Sequence, residues 1–145
     1  MPFFYYGSEQ AFNGGNDPYN REALWNNMNT SSDLYLFVQQ VMKARKSEQS
    51  FNSFFYEKYV DDQLYAFSRG TLFVALTNVL DGQVHREVRN SGFSEGEAVC
   101  NIFYPTDCVK VTNGVLPIYL DNGEVKIFVP KSSSFWGNAV KEFLQ

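Results

Sequence analysis

Hydrophobic and polar residues follow two different periods along the chain. In the first third, apolar side chains recur every three or four positions, which predicts an amphipathic helix. This helix is expected to begin at Thr30 or Ser31, because Thr30 and Asp33 have the spacing of a capping box. Its apolar face consists of Leu34, Phe37, Val38, Val41 and Met42.

After about residue 50 the period falls to two, which is typical of strands with one buried face. Turn dipeptides such as Asn113-Gly114 and Asn122-Gly123 separate these segments and favour hairpins. Eight strands at this spacing predict an antiparallel sandwich or barrel. The predicted strands are residues 54–60, 63–68, 72–77, 83–89, 99–104, 109–112, 115–120 and 124–129.

The N-terminal segment combines a strand, a loop and a short helix. Residues 1–6 are almost all apolar and predict a buried strand, and the loop to residue 16 is rich in Gly and Asn. Asp17 is a good N-cap and Pro18 a good first helical residue, which predicts a short helix through about Trp25. We expect a strand with nothing before it to come from a larger sheet or barrel.

Composition narrows the class of protein. The chain has 145 residues, of which 44% are hydrophobic and 17% aromatic, so a packed globular fold is expected. Its formal net charge is −4 and it has no basic run, which argues against nucleic acid and anionic membranes as partners. No apolar run approaches the about 20 residues of a membrane span, and no signal peptide is recognisable.

Four segments carry a resemblance to a known family. Residues 2–10 (PFFYYGSEQ) and 14–21 (GGNDPYNR) resemble the last barrel strand of the α-amylase family of glycoside hydrolases and the loop after it. The Gly-Gly-Asn-Asp-Pro run, with an arginine four residues after the aspartate, is similar to fungal and related eukaryotic α-amylases. Residues 64–78 and 123–130 are similar to strands of the C-terminal β-domain in these enzymes.

This resemblance implies an α+β fold cut from a larger enzyme. Residues 1–48 would be the last strand and helix of a truncated (β/α)₈ barrel, and residues 51–130 an antiparallel Greek-key β-sandwich. Residues 131–145 would form a tail, joined through three serines. In such barrels the active site lies at the C-terminal ends of the strands, where the residues after Tyr6 would lie.

Two charged residues in the loop are the candidate substrate-binding groups. By resemblance, Asp17 and Arg21 would hydrogen-bond sugar hydroxyls, since a carboxylate accepts and a guanidinium donates in a planar fork. The alternative is purely local: Asp17 caps a helix and Arg21 is its i,i+4 partner. Both interpretations remain open at this point. Glu9 and Gln10 are expected at the same rim, as hydrogen-bonding residues and not as catalysts.

Catalytic and metal-binding residues are expected elsewhere. Retaining glycoside hydrolysis requires two carboxylates about 5–5.5 Å apart, and in this family they and a third acid lie on earlier strands. No segment here resembles those motifs, so the chain alone is expected to be inactive towards starch. The calcium ion expected of the complete enzyme would also have its ligands upstream, and no cofactor is expected in this chain.

The remaining candidates have simpler interpretations. Cys100 and Cys108 flank a predicted hairpin turn, and a disulfide is favoured in an oxidising compartment. His85 alternates with valines in a predicted strand, which places it on the polar face. The tripeptide beginning at Asn29 matches a glycosylation sequon, but its use as a helix cap is favoured.

The sequence thus predicts the C-terminal fragment of an endo-1,4-α-glucan hydrolase, with an α-1,4-glucan as the ligand of the parent enzyme. The parent is expected to be secreted or endolysosomal. The alternative is a non-catalytic carbohydrate-binding or structural β-sandwich, with Tyr56, Tyr59 or Trp136 stacking on sugars.

Overall fold

The computed structural model describes residues 3–137, which divide into two compact units. The first unit ends at Met42 and the second begins at Lys43. Two α-helices, α1 (Leu24–Asn27) and α2 (Asp33–Ser47), are followed by eight strands. The strands are β1 (Phe55–Val60), β2 (Leu64–Arg69), β3 (Leu72–Thr77), β4 (Gln83–Arg89), β5 (Ala98–Asn101), β6 (Tyr104–Lys110), β7 (Val115–Asp121) and β8 (Val125–Pro130).

Residues 3–6 do not form the strand that their apolar character predicts. Their backbone belongs to no described sheet, and Phe3 and Tyr5 are 88% and 65% exposed. A strand needs a neighbour to complete its backbone hydrogen bonds, and both described sheets are built from β1–β8 alone. The prediction was wrong for these four residues, and residues 1–2 lie outside the described part.

The predicted helix from Asp17 to Trp25 is also wrong. The backbone N–H of Tyr19 donates to Asn16 at 2.7 Å and that of Arg21 to Pro18 at 3.1 Å, so residues 16–21 form successive turns. Because the carbonyls accept from three residues ahead, no α-helical ladder develops here. The first α-helix, α1, begins only at Leu24 and is a single turn.

Helix α2 is confirmed, although it begins two or three residues later than predicted. Ser32 is its N-cap: the Ser32 hydroxyl accepts from the backbone N–H of Tyr35 at 3.4 Å, and its carbonyl accepts from that of Leu36. Side chains on the apolar face remain partly exposed, for example Phe37 at 42%. Ala44, near the C-terminal end, is buried.

Eight antiparallel strands build the second unit and enclose one hydrophobic core. Six of them form a sheet in the order β1-β2-β3-β8-β5-β6, and β4 pairs with β7 in a second sheet. Alternate residues of β2 and β7 are buried, as the period of two predicts. Both sheets contribute to the core, which contains Leu64, Ala66, Phe73, Ala75, Val84, Val88, Val99, Val111, Leu116, Ile118, Leu120 and Phe128.

The β5–β6 hairpin differs from its prediction in the position of the turn. The turn expected between the predicted strands 99–104 and 109–112 lies inside β6, and the chain reverses at residues 102–103 instead. Asn101 stabilises this earlier turn, because its side-chain oxygen accepts from the backbone N–H of Phe103 at 3.2 Å. Residues 105–107 form a bulge on an edge strand. Pro105 has no backbone N–H, but at this position none is needed to pair with a neighbouring strand.

The described residues after β8, 131–137, pack within the second unit. Phe135 and Trp136 are 2% and 3% exposed, and the indole Nε1 donates to the carbonyl of Pro130 at 2.9 Å. Trp136 is therefore not the exposed sugar-stacking residue that the sequence suggested. The predicted tail is described only to Gly137, and its residues 138–145 lie outside the described part.

The turn before β2 centres on the carboxylate of Asp61. It accepts from Arg86 Nε at 2.6 Å and from the backbone N–H groups of Gln63 and Leu64 at 2.8 and 2.7 Å. The Arg86 guanidinium and then the Gln63 N–H hold the pKa of Asp61 well below its ordinary value of 3.8. The folded state therefore favours the charged carboxylate.

We expect the protein to lose stability when the pH falls below the ordinary pKa of Asp61. A carboxyl group with a lowered folded-state pKa stabilises the fold above its unfolded pKa, and this contribution disappears as protons bind in acid. Asp61→Asn should have a lower urea midpoint than the wild type at about pH 7. Between about pH 7 and about pH 3 its midpoint should fall less than that of the wild type. Asp62→Asn, at the neighbouring exposed position, is the control and should have a urea midpoint close to that of the wild type at both pH values. An identical pH dependence for Asp61→Asn and wild type would contradict this role.

Candidate functional site

The loop after residue 6 owes its shape to Gly7. The carbonyl of Gly7 accepts from the backbone N–H groups of Gln10 at 3.0 Å and Phe12 at 3.1 Å. Its φ is +81°, and a Cβ atom at this position would lie 2.1 Å from Cδ2 of Phe12. Only glycine allows so tight a fold, because any side chain would meet the phenyl ring and strain the backbone.

This loop lines a pocket within the first unit. The pocket has a volume of about 370 Å³, including space open to solvent. Aromatic rings and polar groups share its walls, a mixture that suits sugars, which present both apolar ring faces and hydroxyl groups. Its lining residues are Tyr5, Tyr6, Ser8, Phe12, Gly14, Asn20 and Glu22.

The two predicted substrate-binding residues form an exposed ion pair. Arg21 Nε lies 2.7 Å from Asp17 Oδ1, and the two side chains are 69% and 62% exposed. Among the described residues no hydrogen bond occupies Asp17 Oδ2 or the two Nη atoms of Arg21. Both groups therefore keep free acceptors and donors directed to solvent, while the local i,i+4 contact is also present.

Asp17 and Arg21 are not themselves among the residues that line the pocket. Asn20 and Glu22, on either side of Arg21, do line it, and sequence reasoning did not single them out. Their position beside a singled-out arginine is the signal that could have found them. Gln10 has a supporting role: its Oε1 accepts from the backbone N–H of Asn29 at 2.7 Å and so connects the loop to the segment before α2.

The two cysteines lie directly opposite each other in the β5–β6 hairpin. Cys100 and Cys108 are register partners, and their sulfur atoms are joined in a disulfide bond. Cys100 is fully buried. The bond closes the small loop that contains the bulge of β6.

His85 lies on the exposed face of β4, as predicted. Its ring stacks on that of Tyr119, the cross-strand partner, with centroids 4.2 Å apart and planes 4° from parallel. Stacking of this kind is an ordinary cross-strand contact. Across residues 3–137, no group of three or more His, Cys, Asp or Glu is placed to hold a metal ion.

Comparisons with known proteins point in one direction, although no protein-family model matches the chain. The chain is 30% identical over 145 residues to Alpha-amylase 1 of Schwanniomyces occidentalis, covering 91% of this chain and 28% of the relative. It is 32% identical over 133 residues to a Beta/alpha-amylase of Paenibacillus polymyxa, covering 88% of this chain and 11% of the relative. The solved α-amylase of Malbranchea cinnamomea superposes with a TM-score of 0.77 at 28% identity, covering 95% of this chain and 31% of that one.

The chain is homologous to the C-terminal portion of α-amylases. The likeness to α-amylases predicted from residues 2–10 and 14–21 is thereby confirmed. The α-amylase homology extends over both units, because each comparison covers about nine tenths of the chain. The chain spans less than a third of the length of each of these α-amylases.

Proposed function

We propose that this chain supplies one wall of the glucan-binding groove in an endo-acting α-1,4-glucan hydrolase of starch or glycogen. The exposed pair of Asp17 and Arg21, next to an aromatic pocket, is the observation that carries the proposal. A carboxylate and a guanidinium with free acceptors and donors match the alternating hydroxyl groups of a sugar ring.

The same proposal assigns a place in the parent enzyme to each unit. The first unit would belong to the last β/α unit of a (β/α)₈ barrel, and the second would be a Greek-key β-sandwich. The similarity to α-amylases supports this assignment. Secretion of the parent, the catalytic acids on earlier strands and a calcium ion bound there remain predictions. Within residues 3–137, neither helix is long and apolar enough to cross a lipid bilayer.

Substitution of the ion pair tests the glucan-binding role. Asp17→Ala and Arg21→Ala should each weaken binding of maltoheptaose to the chain by about tenfold, the effect of losing one charge-assisted hydrogen bond. Isothermal titration calorimetry measures the affinity. The control variants Glu87→Ala and Arg89→Ala remove an acidic and a basic side chain from β4 in the other unit, and they should bind like wild type.

The alternative, a carbohydrate-binding β-domain, gives a different result in the same experiment. Of the three aromatic residues named for this alternative, Tyr56 on β1 is 56% exposed, whereas Tyr59 packs against the core and Trp136 is buried. If binding survives both loop substitutions but is lost in Tyr56→Ala, the loop proposal is wrong. We also expect the chain alone to show no hydrolysis of soluble starch.

A further inference from the structure

Asn29 is the first residue of Asn29-Thr30-Ser31, the only Asn-x-Ser/Thr tripeptide in the sequence. This tripeptide is the acceptor sequence for N-linked glycosylation when it lies on an accessible surface. Asn29, Thr30 and Ser31 are all exposed and lie in the connection between α1 and α2. The accessibility requirement is therefore met.

The structure also removes the competing explanation for this sequence. Thr30 or Ser31 was expected to cap α2, but the hydroxyl of Ser32 accepts from the backbone N–H of Tyr35 and performs that role. The hydroxyl of Ser31 is consequently not needed by the helix. It remains available for recognition by an enzyme.

The backbone around Asn29 holds its side chain in a defined turn. Asn29 Oδ1 accepts from the backbone N–H of Ser31 at 2.9 Å, which is an Asx-turn. The backbone N–H of Asn29 is in turn anchored by Gln10 Oε1. Because Oδ1 is the hydrogen-bonded atom, Nδ2 is directed away from the turn, and no described residue accepts a hydrogen bond from it.

We infer that Asn29 is an N-glycosylation site, with an oligosaccharide carried on a polyprenyl pyrophosphate as the glycosyl donor. In the transfer, Nδ2 of Asn29 forms a bond to the anomeric carbon of the first sugar and loses one proton. The bond between that carbon and the pyrophosphate oxygen breaks, and the lipid pyrophosphate leaves with the electron pair. The Cys100–Cys108 disulfide fits the oxidising secretory compartment in which this reaction occurs.

The test is to secrete the full chain from a yeast host behind a cleavable leader and to measure its intact mass. We expect a glycan mass on the wild type that peptide N-glycosidase F removes, converting Asn29 to Asp in the released peptide. Asn29→Gln and Ser31→Ala should lack the glycan, whereas Ser31→Thr, which keeps the hydroxyl, should retain it. Asn26→Gln, three residues away and outside any sequon, is the matched control and should also retain it.

Peptide mapping of the secreted wild type decides the question even if a variant folds poorly. Secreted wild-type protein with an unmodified Asn29 peptide would overturn the proposal, as would a glycan that persists in Ser31→Ala. The readout is independent of glucan binding, because the glycan is detected by mass and the role of Asp17 and Arg21 by affinity. Failure of one proposal therefore leaves the other standing.

Discussion

Replacing Phe73 by Ala is expected to lower the free energy of unfolding by about 3–5 kcal/mol. Phe73 is fully buried in β3, opposite Phe128 of β8, and its ring centroid lies 6.2 Å from that of Phe93. Removing the ring loses the favourable free energy of transferring it from water into the core. It also leaves a cavity that the rigid neighbouring strands cannot fill. Urea unfolding, followed by the fluorescence of buried Trp136, measures the loss.

Leu76→Ala is the matched control for this prediction. Leu76 lies on the same strand but is 38% exposed. Its truncation removes less buried surface and should cost clearly less, about 1 kcal/mol. Equal losses for the two variants would show that the face of β3 that bears Phe73 does not form the core.

Removing the disulfide is expected to have the next largest effect on stability. In the double variant Cys100→Ala/Cys108→Ala, the unfolded chain regains the entropy that the crosslink removes. For a sequence separation of 8 residues, the loop-entropy relation gives about 2.5 kcal/mol. The urea midpoint of the variant should fall accordingly.

Reduction of the wild type provides the internal check. Dithiothreitol should lower the urea midpoint of the wild type towards that of the double variant and leave the variant itself unchanged. A wild type that is insensitive to the reductant, with a midpoint equal to that of the variant, would show that the bond does not contribute to stability in solution.

The sequence was most informative where structure follows from local periodicity. In β2 the alternation of Leu64, Ala66 and Ser68 with Tyr65 and Phe67 is reproduced as buried and less buried positions. Helix α2 was likewise predicted, because apolar residues recur along one face and small polar residues precede it. A strand is present in each of the eight regions predicted after residue 50, although β5 ends and β6 begins earlier than predicted.

Predictions were less successful where the structure depends on specific hydrogen-bond partners that no periodic pattern marks. Residues 3–6 have the composition of a buried strand but no neighbouring strand among those described, so composition alone misled. Asp17 and Pro18 are favourable residues for the start of a helix, but the hydrogen bonds that follow them are those of successive turns and not of an α-helix. In the β5–β6 hairpin, the side chain of buried Asn101 selected a turn that dipeptide statistics did not indicate.

The candidate site was predictable only in part, and for a similar reason. Asp17 and Arg21 were found through a motif, and their adjacency follows from their spacing in the chain. The pocket beside them brings Tyr5, Phe12 and Glu22 together through the tight fold at Gly7. One wall of the pocket is the ring of Phe12, which lies against Gly7. No periodic pattern of apolar residues predicts this contact.

Glu48, directly after α2, has a practical consequence for dividing this protein. Its carboxylate accepts hydrogen bonds from the hydroxyl groups of Thr71, before β3, and Ser133, after β8. A β-domain excised at residue 51 would leave both hydroxyl groups without this acceptor and would remove Ala44, which is buried. A sound cut point for isolating the β-sheets therefore lies upstream of Lys43, with the last turn of the helix left attached.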